Sequence, residues 1–252
     1  MQVKVLFFGV LKDITGKSID VVDIPDNFGL QDVLVRYCTS FPQLAQLLPA
    51  LAISINRDYA ASDSKLHNGD EIALMPPVSG GSGSEQKEIL HGEFRCALIH
   101  HVIDVQEISK RIKRSSDGAI ATFEGIVRDN SRGRKTLYLS YEAYDTMALK
   151  QMGSLAFEAA QKFSVRDVAV IHRLGRLDVG ETSVLIVVAS AHRRQGLDAC
   201  RWLIDTVKRT VPIWKKEYFE DGASWTDGEA FPEELRVGPK HRAGASNPSP
   251  ED

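Results

Sequence analysis

The order of apolar and polar residues divides the chain into two stretches of strands and helices. In the first stretch, the apolar residues of 30–37 recur at the spacing of one helix face. Around this helix the pattern predicts strands at 3–8, 18–24, 52–56 and 71–75 and a short helix at 43–48. The main elements, in the order β-β-α-β-β, predict a small sheet that clasps a helix.

The second stretch places longer helices among its strands. Asp104 is a suitable N-cap for a helix that ends near residue 113, and Pro212 stops the last helix. The predicted strands are 94–100, 119–127, 137–144, 168–174 and 183–190, and the predicted long helices are 146–163 and 194–211. This stretch is therefore predicted to be a separate α+β domain.

A Gly- and Ser-rich segment separates the two stretches. Six of the eight residues 78–85 are Gly or Ser, so no side chain there could anchor a core. We therefore predict a first domain at 1–81, a linker at 82–92 and a second domain at 93–231. Residues 232–252 are rich in Pro, Gly, Ser and charge, which predicts a disordered tail.

Composition and charge limit the class of protein. The 252 residues are 43% hydrophobic and 26% charged, with a formal net charge of −3, so we expect a globular protein. Residues 1–81 hold 6 basic and 9 acidic side chains and the rest of the chain holds 25 of each, so neither part has the positive excess of a nucleic-acid-binding protein. With no membrane-length apolar run and no secretory signal, a cytoplasmic protein is expected.

Several familiar kinds of site are not supported by the sequence. The cysteines Cys38, Cys96 and Cys200 are widely spaced and are predicted to be free thiols. No metalloprotease, P-loop, dinucleotide-binding or serine-hydrolase motif is present. The basic run from Arg132 to Lys135 could grip a phosphate backbone, but without a neighbouring aromatic platform a solvated turn is favoured.

The first domain is predicted to end in the pair Gly80 and Gly81. A Gly-Gly end can enter a narrow channel because it has no Cβ atoms, and ubiquitin-like carriers use such an end as their reactive group. The alternative is a flexible linker, which the following Ser-Gly-Ser favours. Composition by itself leaves both interpretations open.

The second domain carries two groups of basic residues that could bind an anion. His192 and Arg193 lie where a strand is predicted to turn into a helix, so side chains and helix-end amides can meet there. Lys208 lies near the end of that helix, and Lys215 and Lys216 follow Pro212 directly. The alternative for Lys208 is a solvated residue that complements the helix dipole.

The first domain resembles the small subunit of molybdopterin synthase. The resemblance rests on ISIN at 53–56, NGDEIA at 68–73 and MPPVSGG at 75–81. It implies a ubiquitin-like β-grasp fold and a terminal glycine that is adenylated and converted to a thiocarboxylate, the sulfur donor. Here Gly81 is followed by Ser82, so its carbonyl lies within a peptide bond.

The second domain resembles the large, catalytic subunit of molybdopterin synthase from about residue 94 to 231. The matching stretches are ATFEGIVR at 121–128, IHRLG at 171–175, SAHR at 190–193, VK at 207–208 and PIWKKE at 212–217. The resemblance implies catalytic roles for Lys208 and Lys215. The implied substrate contacts are Ile126, Val127, Arg128, His192, Arg193, Lys216 and Glu217, and the family usually has a basic residue at the position of Ile126.

These resemblances imply a fused molybdopterin synthase. The implied substrate is cyclic pyranopterin monophosphate, which receives two sulfurs from the Gly81 thiocarboxylate and becomes the dithiolene of molybdopterin. The arginines suit phosphate recognition, and a lysine held among other cations can exchange protons near neutral pH. No metal or organic cofactor is implied.

The same resemblances imply several partners. They imply an adenylating and sulfurating enzyme for the Gly81 end and a homodimer through the second domain, in which one pocket is completed by both copies. A processing protease is a further hypothesis, because only a cut after Gly81 frees its carboxylate. Neither nucleic acid nor a membrane is expected as a partner. The alternative function is a non-catalytic ubiquitin-like scaffold fused to an anion-binding domain.

Overall fold

The computed structural model describes residues 1–77, 87–91, 94–226 and 231–237, with the backbone alone described at 87–91 and 94. The N-terminal domain is a five-stranded sheet with the order β2-β1-β5-β3-β4. Its strands are β1 (Gln2–Phe7), β2 (Ile19–Asp23), β3 (Ala52–Ile55), β4 (Asp58–Tyr59) and β5 (Glu71–Met75). Its helices are α1 (Val10–Thr15), α2 (Leu30–Ser40) and α3 (Pro42–Leu47), followed by a 3-10 turn at Leu48–Ala50.

The predicted ubiquitin-like fold of this domain is confirmed. Helix α2 packs Leu30, Val33 and Leu34 onto the sheet, where they meet Val5 and Phe7 of β1 in one buried core. The short helix α1 and strand β4 were missed by the sequence prediction. Helix α1 has only six residues, too few for a helical periodicity to be visible, and β4 has only two.

The C-terminal domain contains two further sheets. One has the order β6-β7-β11-β13-β8, and the other has the order β12-β10-β14-β15 with β9 paired to β10. The strands are β6 (Lys87–His91), β7 (Phe94–Ile99), β8 (Ala119–Ile126), β9 (Asn130–Ser131), β10 (Arg134–Ala143), β11 (Asp167–Arg173), β12 (Gly175–Asp178), β13 (Thr182–Ser190), β14 (Ile213–Phe219) and β15 (Gly222–Trp225). The helices are α4 (Val105–Ile112), α5 (Asp145–Phe163) and α6 (Arg193–Thr210).

The predicted α+β class of the C-terminal domain is confirmed. Strand β13 is buried at all nine positions, because α5 and α6 cover one face of its sheet and α4 covers the other. Asp104 caps α4 as predicted, and its carboxylate accepts a hydrogen bond of 2.8 Å from the backbone amide of Glu107. Strand β14, which carries Lys215, was not predicted, since its polar residues interrupt the apolar pattern.

The two domains pack against each other through a shared apolar cluster, which we call the interdomain cluster. The ring of Phe8 stacks on that of Trp214 with centroids 4.6 Å apart and an interplanar angle of 12°. The cluster consists of Leu6, Phe8, Ala52, Ala73 and Met75 from the N-terminal domain and Tyr144, Met147, Trp214 and Phe231 from the C-terminal domain. The sheet face opposite α2 is therefore covered by the C-terminal domain.

Two predicted irregular segments need correction where the structure describes them. Residues 87–91 of the predicted linker form β6, which pairs antiparallel with β7. Residues 232–237 of the predicted tail include a 3-10 turn, and Arg236 forms an antiparallel bridge with Ala52. Few apolar residues are enough to hold this segment against the N-terminal domain, because the Phe231 side chain that precedes it is fully buried. The remaining linker and tail residues, and the predicted boundary at Gly81, lie outside the described residues.

Candidate active site

An ion pair on β14 forms the centre of the candidate site. Lys215 and Glu217 point to the same face of the strand because side chains alternate along it, and Lys215 Nζ lies 2.8 Å from Glu217 Oε1. The Glu217 side chain is only 8% exposed and that of Lys215 is 27% exposed. Burial by itself would raise the pKa of Glu217, but hydrogen bonds from Lys215, Ser131 and Thr226 outweigh it and the pKa is lowered. Glu217 is thus held as a carboxylate beside a lysine that water can reach.

The floor of this face is formed by β10 and the end of β8. Tyr141 lies opposite Lys215 in the β10–β14 register and packs with Val127, which is 2% exposed. Arg128 follows Val127 at the surface, and Ser131, three residues later, contacts Glu217. The structure therefore brings Val127, and the turn that begins at Arg128, to the Lys215–Glu217 pair. Ile126 is 53% exposed and pairs with Thr182, so its apolar side chain lies at the rim.

Lys208 is exposed in the last turn of α6. The chain turns after Val211, whose amide bonds the carbonyl oxygen of Val207, and Pro212 and Ile213 then lead into β14. The hydroxyl of Tyr59 from the N-terminal domain donates a 2.7 Å hydrogen bond to the carbonyl oxygen of Thr210. Lys208 therefore lies two residues from a direct contact between the domains.

His192 and Arg193 lie at the opposite end of the same helix. His192 is the N-cap of α6 and both residues are exposed. Arg193 and Lys208 are 15 positions apart along α6, which at about 1.5 Å of rise per residue corresponds to about 22 Å. Within one copy of the chain, the structure does not bring His192 and Arg193 together with Lys208.

Lys216 points away from Lys215, towards the N-terminal domain. Its Nζ lies 3.6 Å from Asp13 Oδ2 and 5.0 Å from the centroid of the Trp225 ring. Trp225 Nε1 donates to the same Asp13 oxygen at 2.9 Å. Lys216 thus contacts the other domain and does not share a face with the Lys215–Glu217 pair.

The end of β5 in the N-terminal domain contacts Trp214, the neighbour of Lys215 on β14. Trp214 Nε1 donates a 2.9 Å hydrogen bond to the carbonyl oxygen of Pro76. Gly80 and Gly81 lie outside the described residues.

Sequence reasoning missed the residues that join the domains. Beyond Trp214, Lys12 forms an ion pair with the buried Glu142, and Tyr144 donates its hydroxyl hydrogen to Glu71. Burial raises the pKa of Glu142 even though Lys12 opposes this. A signal was present in β1 and β5, where apolar residues occupy both faces of the strand. Such strands are covered on both sides, and α2 can cover only one.

Other features of the structure bear on the alternative kinds of site. A cavity of about 160 Å³ lies between α4 and β11, lined by Arg95, Ile108, Arg111, Ile112, Arg114, Asp167, Val168 and Ala169. In the run from Arg132 to Lys135, Arg134 pairs with Asp221 and Lys135 pairs with Glu220, while Arg132 and Arg134 line a cavity of about 60 Å³ together with Glu217. Within the described residues, no group of three or more His, Cys, Asp or Glu side chains could hold a metal ion. The helices described are all too short or too polar to cross a membrane.

Two family models match the chain, one in each domain. The model described as ThiS family matches residues 5–81, and the model described as MoaE protein matches residues 98–210. The first match ends at Gly81. The second includes Val127, Arg128, His192, Arg193 and Lys208.

Individual relatives are similar to the C-terminal domain over most of their own length. The molybdopterin synthase catalytic subunit of Pyrococcus abyssi is 43% identical over 140 residues, which are 55% of this chain and 95% of the relative. The catalytic subunit of Homo sapiens is 42% identical over 161 residues, which are 62% of this chain and 86% of the relative. A solved structure of molybdopterin synthase from Staphylococcus aureus has a TM-score of 0.50 and 36% identity, covering 51% of this chain and 94% of that one.

Proposed function

Because the chain belongs to the family of molybdopterin synthase catalytic subunits and also carries a ThiS domain, we propose that it is a complete molybdopterin synthase in one polypeptide. Its role lies in molybdenum cofactor biosynthesis. The N-terminal domain carries sulfur as a thiocarboxylate on Gly81. The C-terminal domain transfers two such sulfurs to cyclic pyranopterin monophosphate and forms the dithiolene.

One observation carries this proposal: the N-terminal domain is docked beside both lysines. It contacts Thr210, two residues from Lys208, and Trp214, the neighbour of Lys215. The contact to Trp214 comes from Pro76, near the end of the strand that leads to Gly81. This arrangement supports delivery of sulfur from the N-terminal domain to the face that holds Lys215 and Glu217.

The side chains assigned to the site suit the proposed reaction. Lys208 and Lys215 act as general acid or base during attack by the thiocarboxylate and stabilise charge as the cyclic phosphate opens. Hydrolysis of each acyl thioester consumes one water molecule and leaves Gly81 as a carboxylate, while the carbonyl oxygen of the substrate leaves as water, so the two transfers together consume one water molecule. Arg128 binds substrate oxygens, while the buried Glu217 holds Lys215 in position through their 2.8 Å contact. None of these roles requires a metal or an organic cofactor.

In this proposal, a second copy of the chain supplies His192 and Arg193 as ligands for the substrate phosphate. His192 and Arg193 lie about 22 Å from Lys208 along α6, too far for one small substrate to contact both ends. We therefore assign His192 and Arg193 to the pocket of a dimer partner. The proposed active enzyme is therefore a homodimer.

Release of the Gly81 carboxylate requires a cut before Ser82. An adenylating and sulfurating enzyme then loads the freed end, and a processing protease makes the cut. The mass spectrum of active protein from its native host tests this step. Two fragments that separate after Gly81 are expected, whereas a single intact chain in the active enzyme contradicts the cut.

The central experiment supplies cleaved, thiocarboxylated protein with cyclic pyranopterin monophosphate and detects the dithiolene product. We expect product from the wild type and a loss of roughly 100-fold or more in Lys215→Ala, in the range typical of a lost acid-base group. The conservative variant Lys215→Arg keeps the charge and serves as the matched control. If the wild type forms no product while both domains remain docked, the scaffold function is favoured.

A further inference from the structure

The segment at residues 231–237 leaves the C-terminal domain and packs onto the N-terminal domain. Phe231 is fully buried in the interdomain cluster, and its ring centroid lies 6.0 Å from that of Tyr59. Leu235 packs against the same cluster, and Val237 packs against the core of the N-terminal domain. Three side chains of this short segment therefore contact apolar groups of the domain that carries Gly81.

The same segment extends the edge of the N-terminal sheet. Strand β4 pairs with β3 only at Ser54 and Ile55, so it does not cover the start of β3. There Arg236 bridges Ala52, and the amide of Val237 donates a 3.0 Å hydrogen bond to the carbonyl oxygen of Leu51. Main-chain pairing of this kind at an exposed sheet edge is a common mode of peptide recognition.

Internal hydrogen bonds give the segment a defined shape. The amide of Leu235 bonds the carbonyl oxygen of Pro232 at 2.9 Å, and Arg236 Nε donates to the carbonyl oxygen of Phe231 at 2.5 Å. These bonds close residues 231–236 into a compact turn, which lowers the entropy lost when the segment binds.

We propose that residues 231–237 are a clasp that keeps the N-terminal domain bound to its own C-terminal domain after the chain is cut at Gly81. This inference rests on the proposed function, which requires the cut. Before the cut, the covalent connection holds the domains at a high effective concentration. After it, the N-terminal domain is held between the Trp214 surface on one side and the clasp on the other. The cut N-terminal domain therefore stays with its own C-terminal domain and is loaded with sulfur again there. It is not exchanged for a free N-terminal domain.

The test uses the full chain with a recognition sequence for a site-specific protease inserted after Ser84. Cutting yields both fragments in equal amounts, and gel filtration over a dilution series measures the dissociation constant. We expect Phe231→Ala to raise this constant roughly tenfold or more, as is typical for a central aromatic anchor. Glu234→Ala, an exposed residue of the same segment, is the matched control and should leave the constant unchanged.

A backbone variant keeps the test decisive if Phe231→Ala disturbs folding. Val237→Pro removes the amide that bonds Leu51, and the preceding Arg236 has φ −90° and ψ 158°, which a following proline tolerates. Thermal unfolding of each uncut variant verifies its fold. Equal dissociation constants for the wild type and Val237→Pro would overturn the clasp. Because no sulfur transfer is measured, this result would leave the proposed function untouched.

Discussion

Lys215 and Lys216 are adjacent basic residues with opposite surroundings. Lys215 pairs with the buried Glu217, whereas Lys216 lies 3.6 Å from Asp13 of the other domain. The resemblance assigns substrate contact to Lys216, but strand alternation directs it to the domain interface. We therefore interpret Lys216 as a residue that helps to position the N-terminal domain.

This difference predicts separate effects of two alanine variants. In the cut enzyme, Lys215→Ala should lower kcat with little change in the affinity between the fragments. Lys216→Ala should weaken that affinity by about fivefold or less, as expected for a partly exposed ion pair, and leave kcat at saturating carrier nearly unchanged. Steady-state kinetics and fragment titration measure the two quantities. A comparable loss of kcat in Lys216→Ala would instead indicate that Lys216 contacts the substrate.

Glu71 makes the stability of the folded protein depend on pH. Although its partial burial favours the neutral acid, hydrogen bonds from Lys4 and from Tyr144 across the interface lower the pKa of Glu71 below 4.5. A lowered carboxyl pKa contributes stability that is present above the unfolded-state value and is lost as the pH falls through the folded-state value. At pH 7 this contribution is complete.

We therefore expect Glu71→Gln to be less stable than the wild type at pH 7, with a difference that shrinks as the pH falls below about 4.5. Urea unfolding at a series of pH values measures the free energy of unfolding of both proteins. Asp63→Asn is the control, since Asp63 is an exposed residue of the same domain. A difference between wild type and Glu71→Gln that stays constant down to pH 3 would contradict the role assigned to Glu71.

At the scale of elements, Trp214 gives β14 its contact with the N-terminal domain. Its indole ring is fully buried, stacks on Phe8 and donates to the carbonyl oxygen of Pro76. One face of β14 thus contacts the N-terminal domain, and the opposite face carries the Lys215–Glu217 pair. Docking of the N-terminal domain and the position of Lys215 therefore depend on the same element.

Two substitutions of Trp214 separate its polar and apolar contributions. Trp214→Phe keeps an aromatic ring but loses the hydrogen bond, and should lower the free energy of unfolding by about 1–2 kcal/mol. Trp214→Ala also leaves a cavity and should cost about 3–5 kcal/mol. Chemical denaturation measures both values. Trp225→Phe is the control, because Trp225 also donates to the N-terminal domain but is only half-buried. Equal losses in the two Trp214 variants would contradict a packing role.

The sequence predicts most elements but only part of the site. The long apolar strands and amphipathic helices were predictable, because burial on one side or both leaves a regular pattern. Strand β14 was not, since Lys215, Lys216 and Glu217 interrupt its apolar residues. Its polar side chains are satisfied by Ser131 and Asp13, which lie far away in sequence, and by Thr226, which follows the next strand. Local pattern cannot reveal such partners, whereas the residues named by family resemblance did include Lys215 and Glu217.

At the scale of the molecule, the two ends of α6 lie too far apart to meet in one small site. The end near Lys208 contacts the N-terminal domain of the same copy, and the end with His192 and Arg193 lies about 22 Å away. A site that uses both ends must combine two copies of the chain. In a symmetric dimer each copy would then give its Lys215 face to one site and its His192 end to the other.

Mixed dimers test this arrangement. His192→Ala and Lys215→Ala should each be nearly inactive, because each variant damages both sites of its own dimer. When the two variants are mixed and allowed to exchange subunits, about half of the dimers are hybrids, and each hybrid has one site with both native residues. Activity should therefore recover to about one quarter of the wild-type value. A mixture of Lys208→Ala and Lys215→Ala is the control and should not recover, since both residues belong to the same end. No recovery in the first mixture, despite hybrids detected by native mass spectrometry, would place His192 outside the shared pocket.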